Sequence, residues 1–223
     1  MDVVEIDKGT ATRIVVRNHY LHRTCPISHA YALCDEDAYI RAVVTYGVPC
    51  SSTLLKGVCG PSEQHNVYEL NRLWVSSSMP RNSASMLVGR SLKMLDKEIV
   101  VSFADSSRGH VGYVYQATNF LYCGLSAKFK DPVVRGFEGM HHATFAHGMT
   151  KRQIEERFGK ENVTWVDRPR KHRYVYINAR GKRRKQLIGK LRYEVLPYPK
   201  GEASHAEDCE EVIEQYNIQL PLF

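Results

Sequence analysis

Several short stretches of this 223-residue chain set chemically capable polar side chains among apolar neighbours. His19 and Tyr20 end a predicted first helix in the string Asn18-His19-Tyr20, and Arg72 sits inside the otherwise apolar strand pattern of residues 67–75. Ser91 lies on the apolar stripe of a predicted helix, while Asp105 and Tyr115 flank a corner where an apolar strand passes into a helix. Histidine, aspartate and tyrosine are the side chains that pass protons, and arginine and serine can orient a polar reactant. Each also has a plain structural reading. His19 can be a core histidine bonded to a carbonyl, Arg72 an ion-pair partner of Glu69, Ser91 a small packing residue and Asp105 a helix cap.

Metal and thiol chemistry have weaker support. The pair His141-His142 with His147 offers ligand atoms, but adjacent histidines seldom face one site without a constraining turn. Six cysteines occur without a single Cys-x-x-Cys pair, which argues against a zinc ribbon or knuckle and for reduced, mostly buried thiols.

The elements that must position these groups follow from the apolar pattern. Residues 9–20 read as a helix that Thr10 can cap, and 30–34 with 38–48 read as two strands about the acidic turn Asp35-Glu36-Asp37. Residues 67–75 alternate in period two, which predicts Tyr68, Leu70, Arg72 and Trp74 on one face. A helix capped at Asn82 or Ser83 carries Leu87, Val88, Ser91, Leu92 and Leu95 at helical spacing. Residues 98–104 are nearly all apolar, as a parallel strand buried on both faces should be. A helix near 109–118 and a strand beginning at 120–124 complete an α/β core. In open α/β sheets ligands sit beyond the carboxyl ends of the parallel strands, and Asp105 has that position.

Charge is unevenly distributed. Eleven of the 31 lysines and arginines fall between Arg168 and Arg192 with no acid among them, and the rest of the chain is mildly acidic. Residues 172–199 read as a β-hairpin turning at Asn178-Ala179-Arg180-Gly181, with Tyr174 and Tyr176 on one face of its first strand. Tyrosines interleaved with cations suit bases and phosphates, so Arg170, Lys171, Arg173, Tyr174, Tyr176, Lys182, Arg183, Arg184 and Lys185 are the candidate nucleic-acid contacts. The alternative is a solvated edge hairpin whose cations discourage aggregation.

Together, the string Tyr68 to Val75, the helix through Ser91, Ser102-Phe103-Ala104-Asp105 and the run Gly109 to Phe120 resemble the Mom family of phage proteins that modify adenine in DNA. The resemblance extends from about Asn18 to Tyr198 and includes His172-Arg173-Tyr174 and Pro197-Tyr198-Pro199. It implies an acetyltransferase-like (GNAT) fold: a mixed sheet flanked by helices. It also implies conversion of adenine N6 in double-stranded DNA to N6-carbamoylmethyladenine, with evasion of host restriction as the outcome. The family's functional positions fall on His19, Tyr20, Arg72, Ser91, Asp105 and Tyr115. Iron is linked to the family, although no ligand set for it stands out in the sequence.

The organisation expected is a core over 1–150, a basic extension with the hairpin over 151–200, and an acidic tail over 201–223. Acetyltransferases bind the coenzyme A pyrophosphate on a glycine-bearing loop, but the corresponding stretch from Met79 to Ser85 has no glycine. Acetyl-coenzyme A is therefore disfavoured. An activated glycine such as glycyl-tRNA becomes the expected donor, with DNA and tRNA as partners. No apolar run reaches the roughly 18 residues of a membrane span, and the amino terminus lacks a secretory pattern. The expectation is a cytoplasmic protein acting in the bacterial host. Two alternatives stay open: an acyl-coenzyme A-dependent N-acyltransferase and a non-catalytic DNA-binding protein.

Overall fold

The computed structural model describes residues 2–140, 142–201 and 211–216. In chain order the elements are β1 (Asp2–Glu5), α1 (Lys8–Asn18), β2 (His29–Cys34), β3 (Ile40–Gly47), α2 (Ser52–Cys59), β4 (Val67–Val75), α3 (Ser83–Ser91) and β5 (Ile99–Asp105). They continue with α4 (Tyr113–Ala117), β6 (Leu121–Leu125), β7 (Lys130–Val134), α5 (Lys151–Phe158), β8 (Val163–Asp167), β9 (Lys171–Ile177) and α6 (Gly181–Lys190). Seven strands form one mixed sheet in the order β1-β2-β3-β4-β5-β9-β6, with β7 and β8 paired separately. The anticipated mixed α/β sheet flanked by helices is present. Tyr46, Leu87, Val88, Val100, Phe120 and Tyr174 pack beneath α3 and α4 on one face. On the other face, Ile14 and Val15 of α1 meet Val43 and Trp74, while Val58 of α2 and Leu187 of α6 meet Val101 and Val175.

The sheet opens at one place. β4 and β5 run parallel and pair only from Val67–Ile99 to Leu70–Ser102. Beyond that point Arg72 to Val75 stay with β3, whereas Phe103 to Asp105 stay with β9. The carboxyl ends of the two strands part and leave a notch between them.

A bulge sets what faces that notch. Thr45 pairs with Arg72 and Tyr46 with Leu70, so Asn71 is the extra residue on β4. Its Oδ1 accepts from the Thr45 hydroxyl at 2.6 Å and the Cys25 thiol at 3.3 Å, and its Nδ2 donates to the Pro26 carbonyl at 2.6 Å. Alternation therefore breaks in mid-strand. Tyr68 and Leu70 share their core with Leu73 and Val75, while Trp74 lies in the core against α1. The strict period-two reading that grouped Arg72 with Tyr68 and Leu70 is corrected: Arg72 goes with Trp74, on the face of Val67 and Glu69.

Two other expectations change. Asp7 caps α1, accepting from the Thr10 amide at 2.9 Å, so Thr10 is inside the helix rather than at its cap. The predicted basic hairpin does not form, because residues 181–190 are helical. Arg183, Leu187 and Lys190 recur at helical spacing: Leu187 is fully buried, and Arg183 and Lys190 both reach Glu63, at 2.8 and 2.6 Å. The strand preceding it, β9, is inserted between β5 and β6, so the core extends past residue 150. A separate lobe lies between β6 and β9, where β7, β8 and α5 enclose Val134, Phe145 and Ile154 with Phe137, Phe158 and Trp165. Thr150 caps α5 in a capping box with Gln153.

From the acidic tail, Glu211 accepts from the Ser77 amide at 2.6 Å and Glu214 pairs with Arg13 and Arg17. Glu202, Glu207, Asp208 and Glu210 lie outside the described residues. Among the described residues no helix is long and apolar enough to cross a membrane.

Hydrogen bonds from Arg183 and Lys190 outweigh burial and hold Glu63 down to about 2. A carboxylate depressed in the folded state adds stability above its unfolded value of about 4.5, lost as pH falls towards 2. Glu63→Gln is expected to cost about 1–2 kcal/mol at pH 7, since the partners are one-third exposed. Urea titrations at pH 7 and pH 3 check this. Equal midpoints for wild type and variant at pH 7 would make the network ornamental.

Candidate active site

The notch collects most of the residues singled out from sequence. α1 ends at Asn18, and the His19 amide still donates to the Val15 carbonyl, at 3.0 Å, before the chain turns away. The ring of His19 is buried and its Nδ1 accepts from the Leu21 amide at 3.2 Å. Burial, then the charge of Arg72, pushes its pKa down to about 3, so the imidazole is neutral at physiological pH. Tyr20 stacks on it with ring centroids 4.4 Å apart, and the Arg108 guanidinium lies 5.2 Å from the Tyr20 centroid. The Tyr20 hydroxyl reaches Asp105. Burial first, and then that carboxylate, raise its pKa.

Asp105 closes β5 where the strands have parted. Its Oδ1 accepts from the Ser107 hydroxyl at 2.6 Å and the Ser107 amide at 3.1 Å, and Lys171 of β9 stands 3.7 Å from Oδ2. Burial would raise this carboxyl, but Ser107 and Lys171 together outweigh it and leave the pKa below its ordinary value. The cap reading of Asp105 holds, since it starts the 3-10 turn Ser106–Arg108. It also presents a carboxylate to Tyr20.

Arg72 enters from β4 just past the bulge. One Nη donates to the Asn71 carbonyl at 2.6 Å, and the other lies 3.5 Å from the carbonyls of Arg23 and Thr24. Its Nε is buried and has no hydrogen-bond partner. Tyr115, on α4, is buried with its hydroxyl towards Ser102, which itself donates to the Leu70 carbonyl at 2.9 Å. Burial pushes Tyr115 up to about 12, so it remains a proton donor at neutral pH.

Ser91 is not brought to the notch. It is fully buried under α3, with its hydroxyl 2.7 Å from that of Tyr46 and donating to the Val88 carbonyl at 3.1 Å. Glu69, considered only as a partner of Arg72, belongs to the site. Burial raises its pKa against the opposing charges of Arg72 and Lys171, and its field in turn raises Tyr115. The signal for it was present: a carboxylate inside an alternating apolar strand.

The candidate nucleic-acid residues divide. Tyr174 is wholly buried, its hydroxyl donating to the Val111 carbonyl, and Tyr176 is packed against the same core, so base stacking by Tyr174 is excluded. Arg183 is held by Glu63 and Glu98, Arg184 donates to the Ile177 carbonyl at 2.6 Å, and Arg173 stacks 4.0 Å from the Tyr193 centroid. Arg170 donates to the Ser126 carbonyl at 2.6 Å. Lys182 and Lys185 are exposed on α6, and Lys171 is at the notch.

The donors among the described residues do not fit iron. Among the described residues no three histidine, cysteine, aspartate or glutamate side chains come together as ligands. His142 sits 3.4 Å from Asp131 in the lobe, and His141 lies outside the described residues. At the stretch expected to replace a pyrophosphate loop, Asn82 takes a left-handed φ of 71° ahead of α3.

The chain is 29% identical over 211 residues to the methylcarbamoylase Mom of Escherichia phage Mu, covering 85% of this chain and 80% of that protein. Among solved structures it is similar to a GNAT-family acetyltransferase from Bacillus cereus, 13% identical with a TM-score of 0.44 over 80% of this chain and 98% of that one. It is also similar to a ribosomal-protein-alanine N-acetyltransferase from Brucella melitensis, 10% identical with a TM-score of 0.45 over 79% of this chain and 99% of that one. The Mom protein family model matches residues 1–200, and the chain belongs to that family.

Proposed function

We propose that this chain is a phage-type transferase that converts adenine N6 in double-stranded DNA to N6-carbamoylmethyladenine, protecting the DNA from restriction in the host cytoplasm. The observation that carries the reading is the unpartnered, buried Arg72 Nε in the notch that also takes His19, Tyr20, Asp105 and Tyr115. A buried N–H with no protein acceptor calls for an explanation, and at the notch an acceptor on the reactant supplies one. The phage Mu relative's name, methylcarbamoylase, agrees with the group transferred.

The donor in this reading is a glycyl ester, glycyl-tRNA. The N6 nitrogen attacks the ester carbonyl, its proton passes to Asp105, and Tyr115 protonates the departing ribose oxygen, which leaves as a hydroxyl. Arg72 meets the carbonyl oxygen as it gains charge. The freed glycine amine then attacks C6 to close a five-membered ring. Cleavage of the old C6–N6 bond opens it and leaves the former N6 as the terminal carboxamide. The target base leaves the stack to be reached, at roughly a few kcal/mol, which the stacked pair Tyr20 and His19 offsets in part.

Nucleoside mass spectrometry on DNA from cells expressing wild type or Asp105→Asn tests this. A deoxyadenosine heavier by one glycyl residue is expected with the wild type, and at most a hundredth of it with the variant. Unmodified adenine in both, with soluble protein bound to DNA, would leave a non-catalytic DNA-binding protein. A second reading, acyl-coenzyme A as donor, draws on a cavity of about 420 Å³ between α3 and α4 lined by Asn82, Arg90, Lys93 and Tyr176. Coenzyme A would then raise the melting temperature.

A further inference from the structure

The lobe between β6 and β9 holds a cavity of about 240 Å³ that has no part in the chemistry above. Lys130, His142, His147, Lys151, Trp165 and Arg168 line it. Asp131 is the carboxylate in its wall, and it is already engaged by Arg168 at 2.9 Å and by His142 at 3.4 Å. Among the described residues the two lysines make only long contacts with acids outside the cavity, Lys130 with the exposed Asp167 at 3.9 Å and Lys151 with the partly buried Glu155 at 3.8 Å, which also accepts from the Trp165 indole N–H at 2.9 Å. Lys151 also stands 5.2 Å from the Trp165 ring centroid. A concave wall of cations with its one acid occupied suits a compact singly charged oxyanion, and contacts of 3.8–3.9 Å made by exposed lysines exchange at little cost.

The place of this cavity identifies the anion. The lobe hangs from the two strand ends that border the notch: the Ser126 amide donates to the Lys171 carbonyl at 2.8 Å, and Lys171 pairs in register with Asp105. The Ser106 hydroxyl, next to Asp105, donates to the Arg170 carbonyl. On its other side the lobe comes within electrostatic reach of the loop between α1 and β2, where Arg23 acts on His142 and offers its carbonyl to Arg72. The cavity thus sits on the rim of the notch.

We propose that this cavity grips one phosphodiester of the duplex beside the target adenine, with Lys130 and Lys151 as its cations. The inference rests on the DNA-modifying reading and adds the surface that holds the duplex while the base is withdrawn. Beyond Arg168, the basic run of residues 168–192 is not that surface, since much of it is tied to acids and carbonyls of the same chain.

Fluorescence anisotropy with a labelled 20-base-pair duplex over roughly 50–200 mM salt tests the assignment. Lys130→Gln/Lys151→Gln is expected to bind about tenfold more weakly and to lower the log–log salt slope by about 1, the signature of one lost phosphate contact. Lys182→Gln/Lys185→Gln on α6 is expected to change neither. A duplex carrying a neutral methylphosphonate at the gripped linkage should bind wild type about as weakly, with no added loss in the lobe variant, which keeps the test valid if that variant is unstable. An unchanged slope in the lobe variant overturns the proposal, as does a loss confined to tRNA. Failure of the wild type to bind duplex at all would instead overturn the DNA-modifying reading.

Discussion

Replacing Arg72 with methionine is expected to slow product formation by roughly 100- to 1,000-fold, the usual cost of removing one donor to a developing oxyanion. The geometry explains why a hydrocarbon of similar length does not suffice. Both Nη groups of Arg72 are turned to backbone carbonyls, of Asn71 and of Arg23 and Thr24, and only Nε is left without an acceptor. Arg72→Lys keeps the charge but loses the planar fork, so it should recover little. A second effect separates this role from simple packing. Glu69 is pushed up by burial and held back by Arg72 and Lys171, so losing Arg72 releases its pKa further upward. The acidic limb of the pH–rate profile, if Glu69 must be ionised, moves to higher pH in Arg72→Met. Retained activity would end the oxyanion role, and an unmoved limb would uncouple Arg72 from Glu69.

Gly47→Ala is expected to cost about 3 kcal/mol and most of the activity, although residue 47 touches no reactant. An added Cβ would lie 2.0 Å from the Pro26 carbonyl oxygen and 2.6 Å from its carbon, so backbone must move. That same oxygen accepts from Asn71 Nδ2, the bond that pins the bulge ahead of Arg72. The strain therefore passes through the loop after His19 and into the notch from two sides. Urea unfolding and turnover should fall together. A variant with wild-type stability and rate would show that Pro26 is free to shift.

Several residues mark how far the sequence alone could be read. Apolar patterning located β4 over residues 67–75 and β5 within a residue, because both are dominated by local burial. The corner at Asp105 followed from the rule that strand ends carry sites. The bulge at Asn71 did not follow, since it depends on Thr45, Cys25 and Pro26, all distant in sequence. Nor did the fate of Arg183, whose partners Glu63 and Glu98 are far up the chain. Its charge is visible in the sequence and its neutralisation is not. Tyr174 shows the same limit: an aromatic among cations reads as a stacking platform until β9 is seen between β5 and β6, where that side chain is in the core. For residues 181–190, the strand reading failed because a cationic surface hides the helical spacing of Arg183, Leu187 and Lys190.

The insertion of β9 has a consequence for how the protein is made. A ribosome delivers β5 and then β6 before the lobe and finally β9, yet β5 and β6 have no contact ladder of their own and both hydrogen-bond to β9. Until Ile177 emerges, β5 has an open, apolar edge, a ready template for pairing with a neighbouring nascent chain. Early folding of the lobe, which has a core of its own, brings the start of β9 back to the end of β6 and shortens the search for that edge. Chains interrupted within the lobe should accumulate as aggregates, while chains reaching past β9 should remain dispersed.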